Sequence, residues 1–478
     1  MTRTALVWFR RDLRCHDNPT LAAAAEADEL LPVYCFDPRA FGKREYGGPN
    51  SFSFEKTGGH RTRFLTESVA DLRERLREHG CDLLVREGKP EDVLPELAAA
   101  HDADELHCST YPTSEEKDVE SAVTAALSDE GVEVQSHWGH TLYHVDDLPT
   151  DPRVIDDTFT PFRKAVEAES TVRDPLPEPA LPPLPVSVGD DTGEVPTAPF
   201  GTDPATADDR GALPFAGGEG RAIDRVEEYI WEGDHLREYK ETRNGLVGAD
   251  YSSKFSPWLA LGCLSPRYVH DEVRRYEAER VANDSTYWLL FELCWRDFFQ
   301  FQFVKHGNQH FRREGIRNRT DVTWLWDDRR FRLWATGQTG IPFVDAAMRE
   351  LNETGYVSNR ARQNAASFLA NNLRLDWRHG AAYFETKLLD YDPCSNYGNW
   401  AYIAGVGNDS RDRQFDIVWQ ANRYDPDAAY VKRWIPALEP FSAEEAHEPW
   451  TIPRHRRRDH GLELGTDYPE PMVRLERT

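Results

Sequence analysis

The chain has no CxxC pair. Its seven cysteines, Cys15, Cys35, Cys81, Cys108, Cys263, Cys294 and Cys394, are an odd number, which argues against a disulfide framework and for a reducing compartment. It lacks a positively charged and then apolar leader, and no run of roughly 18 apolar residues occurs, so a cytoplasmic protein off the membrane is expected. No GxGxxG follows the first apolar run, so the commonest dinucleotide signature is absent. Lysine is scarce, and 83 Asp and Glu stand against 57 Lys and Arg, for a net charge of -26. At face value that charge repels nucleic acid and phosphate-rich ligands. Abundant Asp, Glu and Arg suit a cytoplasm full of salt, where repulsion is screened and carboxylates hold water, so a halophilic source is expected.

The 478 residues are 39% apolar and 12% aromatic, enough for a real core and for roughly three domains or fewer. The acidity is uneven. Residues 1–220 carry 21 basic and 43 acidic side chains, residues 221–440 carry 30 and 32, and the tail carries 6 and 8. One region escapes the repulsion.

Runs ALVWF (5–9), LPVYCF (31–36), DLLV (82–85), ELHCS (105–109) and VEVQSH (132–137) alternate with amphipathic segments such as 61–80. That alternation predicts an α/β N-terminal domain over 1–140, with a parallel doubly wound sheet and helices on both faces. Residues 174–220 hold ten prolines with little apolar periodicity, which makes 141–220 a long interdomain linker. Long helical patterns follow, at 265–281 and 284–304, so an all-α domain is expected over 221–440, with 441–478 as a short extension.

Three constellations could carry chemistry. In YSSKFSPWLALG (251–262), Ser256 before Pro257 reads as a helix N-cap, and Ser252, Ser253 and Lys254 add hydroxyls and an ammonium that favour a pyrophosphate; an ordinary capped helix has the same pattern. Glu292, Trp295, Arg296 and Phe299 share one helix face, as a binding surface or as an intrahelical ion pair around a core indole. In 388–409, Asp390, Asp392, Asn396 and Trp400 sit among glycines, which suits an aromatic heterocycle with hydrogen-bonding edges. A metal is the competing reading, but no His or Cys ligand set has suitable spacing. Arg360 and Arg362 in NRARQN, and the Arg and His residues of HFRREGIRNR (310–319), could face phosphates or form solvated surface.

With WFRRDLRCHDNP (8–19), FELCWRDFF (291–299), NRARQN (359–364) and DYDPCSNYGNW in this order, the chain resembles the photolyase/cryptochrome family over about residues 3–438. The stretches ATGQTGIPFVDAAMRELNETGYVSNRARQNAASFL and YGNWAYIAGVGND look most like its DASH cryptochromes, photolyases of cyclobutane pyrimidine dimers preferring single-stranded DNA. The resemblance implies flavin adenine dinucleotide (FAD) in the helical domain. Tyr239, Ser252, Ser253, Lys254, Phe255 and Ser256 would cradle its phosphates and ribityl chain, and Arg296 would contact its side. Asn359 and the Arg362–Asp390 pair would lie beside the isoalloxazine, Asp392 would accept from its edge, and Asn396 would sit near N5. An amide there can donate or accept, whereas a carboxylate would oppose a reduced, negatively charged ring.

The resemblance also implies the reaction: photoexcited reduced FAD passes an electron to a flipped dimer, which opens and returns it. Glu292 and Trp295 would line the dimer cavity, joined by Gln363, Tyr402 and Arg360, with Glu292 bonding the dimer as charge develops on it. Gln363 and Tyr402 stand where many duplex photolyases have Met and Trp. That weakens apolar stacking and favours single strands, where little is spent on flipping. Trp400, Trp377 and Trp324 match the family's electron relay, although each alone reads as core. An antenna is implied in the first domain, 5,10-methenyltetrahydrofolate at Glu115 with Glu116 as neighbour, or a deazaflavin. The carboxylates of TSEE equally suit a helix N-terminus. The partner is dimer-bearing DNA and the chain is expected to act as a monomer. The rival reading is a blue-light photoreceptor that signals without repair, and a light-independent flavin oxidoreductase fits least.

Overall fold

The computed structural model describes residues 2–206, 208–408 and 414–475. Strands β1 (Thr4–Phe9), β2 (Glu29–Phe36), β5 (Leu84–Glu87), β6 (Glu105–Ser109) and β7 (Glu133–His137) form one parallel sheet in the order β5-β2-β1-β6-β7. All six β1 residues are buried because both faces are covered. Val7 and Phe9 face the helices Pro19–Ala24 and Gly59–Glu78, while Leu6 and Trp8 face Pro90–Ala100 and Ser114–Asp129. Chain order reverses at β1, which opens a crevice at the carboxyl ends of β1 and β6. Arg10 and Arg11 leave β1 there, and Tyr111 lies just past β6.

Two local details differ from the sequence reading. The expected strand 82–85 begins only at Leu84, because Asp82 binds Arg73 and Arg77 instead of joining the ladder. A hairpin of β3 (Lys43–Glu45) and β4 (Ser53–Glu55) carried no signal, since each strand is three residues long and largely polar.

Residues 141–220 include a helix, Phe159–Glu169, and then run along the sheet, where the Pro183 and Thr192 carbonyls accept from the N–H groups of Leu30 (3.0 Å) and Val85 (2.8 Å). The second domain is helical and centres on Asp284–His306, started by a capping box between Asn283 and Thr286. Asp297 of that helix accepts from the N–H groups of Leu142 (2.9 Å) and Tyr143 (2.8 Å); burial outweighs these bonds and pushes its carboxyl up to about 7. The domains meet without a gap. Gly262, at φ +69°, would place a Cβ 2.0 Å from the Arg11 carbonyl oxygen, so any side chain there collides with the loop after β1. The last residues pack back too, with the Tyr468 hydroxyl donating to Asp345 (2.6 Å). Among the described residues no helix is long and apolar enough to cross a membrane.

Candidate functional site

Helices Asn359–Ser367, Trp377–Lys387 and Pro393–Ile403 border one hollow that is partly open to solvent. Asn359, Arg362, Gln363, Asp390, Asp392, Asn396 and Trp400 all line it. Local sequence explains why. Ser358 caps the first helix, which puts Asn359, Arg362 and Gln363 on one face at i, i+3 and i+4. Asp392 caps the third ahead of Pro393, and Asn396 and Trp400 follow at four-residue steps. Gly398 lies where that helix meets Phe299, whose ring would stand 2.3 Å from an added Cβ.

Arg362 binds Asp390 at 2.7 Å and the Val357 carbonyl at 2.7 Å. The Ser256 hydroxyl also donates to Asp390 Oδ2, at 2.7 Å. This corrects the reading of Ser256 as an N-cap: it is the first helical residue, and its hydroxyl is drawn to a carboxylate of another segment. Asp390 Oδ1 remains buried without a donor, an atom that a ligand N–H or O–H would satisfy. Asn396 donates from Nδ2 to the Ala381 carbonyl (3.0 Å), which leaves its oxygen and its second amide hydrogen for a ligand, so the amide keeps both capacities.

Asp392 also differs from expectation. Its oxygens take Ser395 N–H (2.7 Å), Gln300 Nε2 (3.1 and 3.0 Å) and Arg11 (2.9 Å), which fills its lone pairs, so it contributes a fixed negative charge rather than a free acceptor. Burial alone would raise this carboxyl, but Arg11 and Arg296 outweigh it and hold it down at about 2. Arg11 stands over the Tyr111 ring at 4.4 Å and pairs with Glu116 at 2.6 Å. It thus ties the first domain to the wall of the hollow. Replacing Arg11 by Met leaves a buried carboxylate short of its partner and is expected to destabilise the fold by about 3 kcal/mol. A denaturant midpoint unchanged from wild type would contradict it.

A second group lies beside the hollow. Tyr239, Phe255, Ser253 and Lys254 are buried, and the Lys254 ammonium sits 3.0 Å from the centre of the Tyr251 ring with Ser252 Oγ at 3.3 Å. No carboxylate of the described residues pairs with it. Burial, and then Arg225, push this ammonium down to about 6. A polyphosphate would supply the missing counter-charge. Together with the unpaired Asp390 oxygen, this makes the residues present fit a dinucleotide.

Glu292, Trp295 and Arg296 each take a different partner. Glu292 pairs with Arg243, whose guanidinium lies over Trp288 at 4.4 Å, so the intrahelical pair does not form. Burial raises the Glu292 carboxyl against the opposing pull of Arg243. Trp295 stacks face to face on Phe159 at 3.7 Å and meets Tyr402 edge-on at 6.3 Å. Arg296 donates to the carbonyls of His140 and Leu259 and reaches the hollow only through its charge on Asp392. Arg360 donates to Gln363 (3.0 Å) and Asn244 (2.9 Å) above the Tyr424 ring.

Trp324, Trp377 and Trp400 are all buried. Trp377 Nε1 donates to the Arg313 carbonyl (3.1 Å), and Arg313 donates to the Trp324 carbonyl (2.8 Å), so one residue bridges the outer pair. The 310–319 cluster divides: His310 is buried, Arg313 and Arg319 are half-buried, and Arg312 and Arg317 are exposed. His310 is buried against Phe303 at 4.1 Å, with burial pushing it down to about 3, and Arg317 and Arg319 donate to the Gly405 carbonyl. Glu115 pairs with Lys56 (2.7 Å), and Glu116 accepts from Thr113 Oγ1 (2.6 Å) at the start of Ser114–Asp129. Asp409, at the end of the 388–409 motif, lies outside the described residues.

Sequence reasoning missed Arg243, Gln300 and Arg11. Gln300 had a signal, four residues after Arg296 on the same helix face. The other two had none nearby.

Residues 5–182 match the family described as DNA photolyase, and residues 288–478 match the FAD binding domain of DNA photolyase. The chain therefore belongs to the photolyase/cryptochrome family of FAD-binding flavoproteins. Within it, the chain is similar to cryptochrome DASH of Natronomonas pharaonis, at 58% identity over 99% of this chain and 98% of the relative. Cryptochrome DASH of Gloeobacter violaceus is 52% identical, over 99% and 94%. Among solved structures, a Synechocystis cryptochrome superposes with TM-score 0.93 at 47% identity, covering 99% of this chain and 96% of its own. A class III photolyase from Agrobacterium tumefaciens gives 0.87 at 29%, over 99% and 95%.

Proposed function

We propose that this flavoprotein uses blue light to open cyclobutane pyrimidine dimers, preferentially in single-stranded DNA. The carrying observation is that Asn359, Arg362, Asp390 and Asn396 gather on one hollow with an unpaired buried carboxylate oxygen. FAD, when bound and reduced, supplies the light-driven electron. The chain does the rest. Arg362 and Asp390 hold the ring side, and the Asn396 oxygen accepts a proton-bearing nitrogen, which favours the reduced ring. Asp392 sets a fixed charge at the wall, and Lys254 with Ser252 and Ser253 holds the phosphates. Glu292 bonds the flipped dimer, and Arg360, Gln363, Trp295 and Tyr402 surround it. Methenyltetrahydrofolate is the antenna we propose, near the Lys56–Glu115 pair, with a deazaflavin as the alternative.

The test is repair of dimer-bearing thymidine oligomers by the FAD-loaded, reduced protein under blue light, at high and low salt. Flipping a base from a duplex costs a few kcal/mol, so single strands are expected to be repaired about 100-fold more efficiently. Equal repair of both forms contradicts the strand preference. No repair of either form by fully loaded protein overturns the repair reading in favour of a photoreceptor. In the oxidised protein, Trp400→Phe is expected to abolish photoreduction while leaving FAD bound; unchanged kinetics would remove Trp400 from the relay.

A further inference from the structure

Tyr397 lies on the far side of the Pro393–Ile403 helix from the hollow and is 2% exposed. Its ring centre is 6.4 Å from that of Trp377, at an interplanar angle of 70°. Its hydroxyl donates to Glu385 Oε2 at 2.8 Å. Glu385 is 1% exposed, and its other oxygen stands 2.8 Å from the Lys56 ammonium. The phenol is held protonated at rest, since burial and then Glu385 raise it well above its ordinary value.

We propose that Tyr397 is a redox-active tyrosine that reduces oxidised Trp377 while handing its phenolic proton to Glu385. The inference rests on the tryptophan relay of the proposed function, which supplies the oxidant, an indole radical cation at Trp377. One electron moves from the Tyr397 ring to that indole. The Tyr397 O–H bond breaks, and the proton forms an O–H bond at Glu385 Oε2. A positive indole, a neutral phenol and a negative carboxylate become three neutral groups, so charge balances within the buried site.

Chemistry selects this tyrosine. A phenol that loses an electron becomes strongly acidic, so its oxidation needs a base within hydrogen-bond reach, and burial leaves water unable to serve. Other tyrosines among the described residues also donate to carboxylates: Tyr276 to Asp234, Tyr287 to Glu167, Tyr430 to Glu350 and Tyr468 to Asp345. None of these rings touches Trp324, Trp377 or Trp400. Tyr46, which is 6.0 Å from Tyr397, donates to the Phe311 carbonyl, which is no base. A neutral tyrosyl radical flanked by a neutral acid has lost the pull that returns the electron, so charge separation lasts longer than with indoles alone.

Flash excitation of the FAD-loaded, oxidised protein, followed by transient absorption and electron paramagnetic resonance, tests this. In wild type the indole radical signal is expected to decay as a tyrosyl signal rises, and the rise is expected to slow in D2O. Tyr397→Phe is expected to lose the tyrosyl signal and Glu385→Gln to suppress its formation, with both variants retaining bound FAD. Indole radicals without any tyrosyl signal, a tyrosyl signal that survives Tyr397→Phe, or a rise indifferent to D2O each overturn the proposal while leaving the relay intact. Absence of both radicals in wild type removes the relay and this step with it.

Discussion

Substituting Lys254 by Met is expected to weaken FAD binding by about 10- to 100-fold, the equivalent of one charge-assisted hydrogen bond of roughly 1.5–3 kcal/mol. The ammonium is 3% exposed, held in a left-handed backbone position at φ +58°, and has no carboxylate partner. Glu350 faces it, but burial pushes that carboxyl up to about 8, so it is largely neutral near pH 7 and offers little counter-charge. Free protein therefore carries an uncharged lysine above pH 6, whereas a bound pyrophosphate restores the proton. The complex holds more protons than its components. By linkage the affinity must fall as pH rises above about 6, by up to tenfold per pH unit, until the bound lysine itself titrates. Fluorescence titration of the apoprotein with FAD across pH reads both effects. A variant with the same slope as wild type would show that another group takes up the proton. The apoprotein of the variant should be no less stable near pH 7, since the substitution replaces a buried, largely uncharged amine with an apolar side chain of similar length.

Truncating Glu292 to Ala is expected to slow light-driven dimer opening by about 100-fold, the usual loss when one group aimed at developing charge is removed. Burial raises this carboxyl although Arg243 opposes it, so it keeps a proton to higher pH than an exposed glutamate and can donate it to a dimer gaining negative charge. The rate in wild type should decline as pH climbs through that raised value. Glu292→Gln retains a donor of the same reach, so it should lose less and show no such decline. Single-turnover repair after a flash separates this from binding. If Ala and Gln variants are equally slow, the hydrogen bond is not what Glu292 provides.

The residues of the hollow were legible because each reports locally. Asp392 precedes a proline, Asn359 follows a capping serine, and the spacing of Asn396 and Trp400 is helical. The inner sheet strands were legible for the same reason, as apolar runs buried on both faces, while Glu133–His137 at the edge stays largely uncovered. What remained hidden depends on partners far along the chain. Ser256 looked like a cap because its true partner, Asp390, lies 134 residues away. Arg11 sits in a motif with no neighbour to explain it, and its bond to Asp392 spans 381 residues. The Arg and His cluster at 310–319 looked like a surface for anions, and no local pattern says that His310 stacks inside against Phe303.

Gly262 has a bearing on how the polypeptide matures. The loop after β1 leaves the ribosome some 250 residues before the glycine that seats beneath it, and Leu13 waits as long for the Leu261 carbonyl that its N–H reaches at 3.2 Å. The opening half can build its sheet early, yet the loop after β1 stays wet until the helices emerge. Neither half should therefore persist as a separate folded fragment, and a cut in the stretch joining them is better survived after assembly than before it.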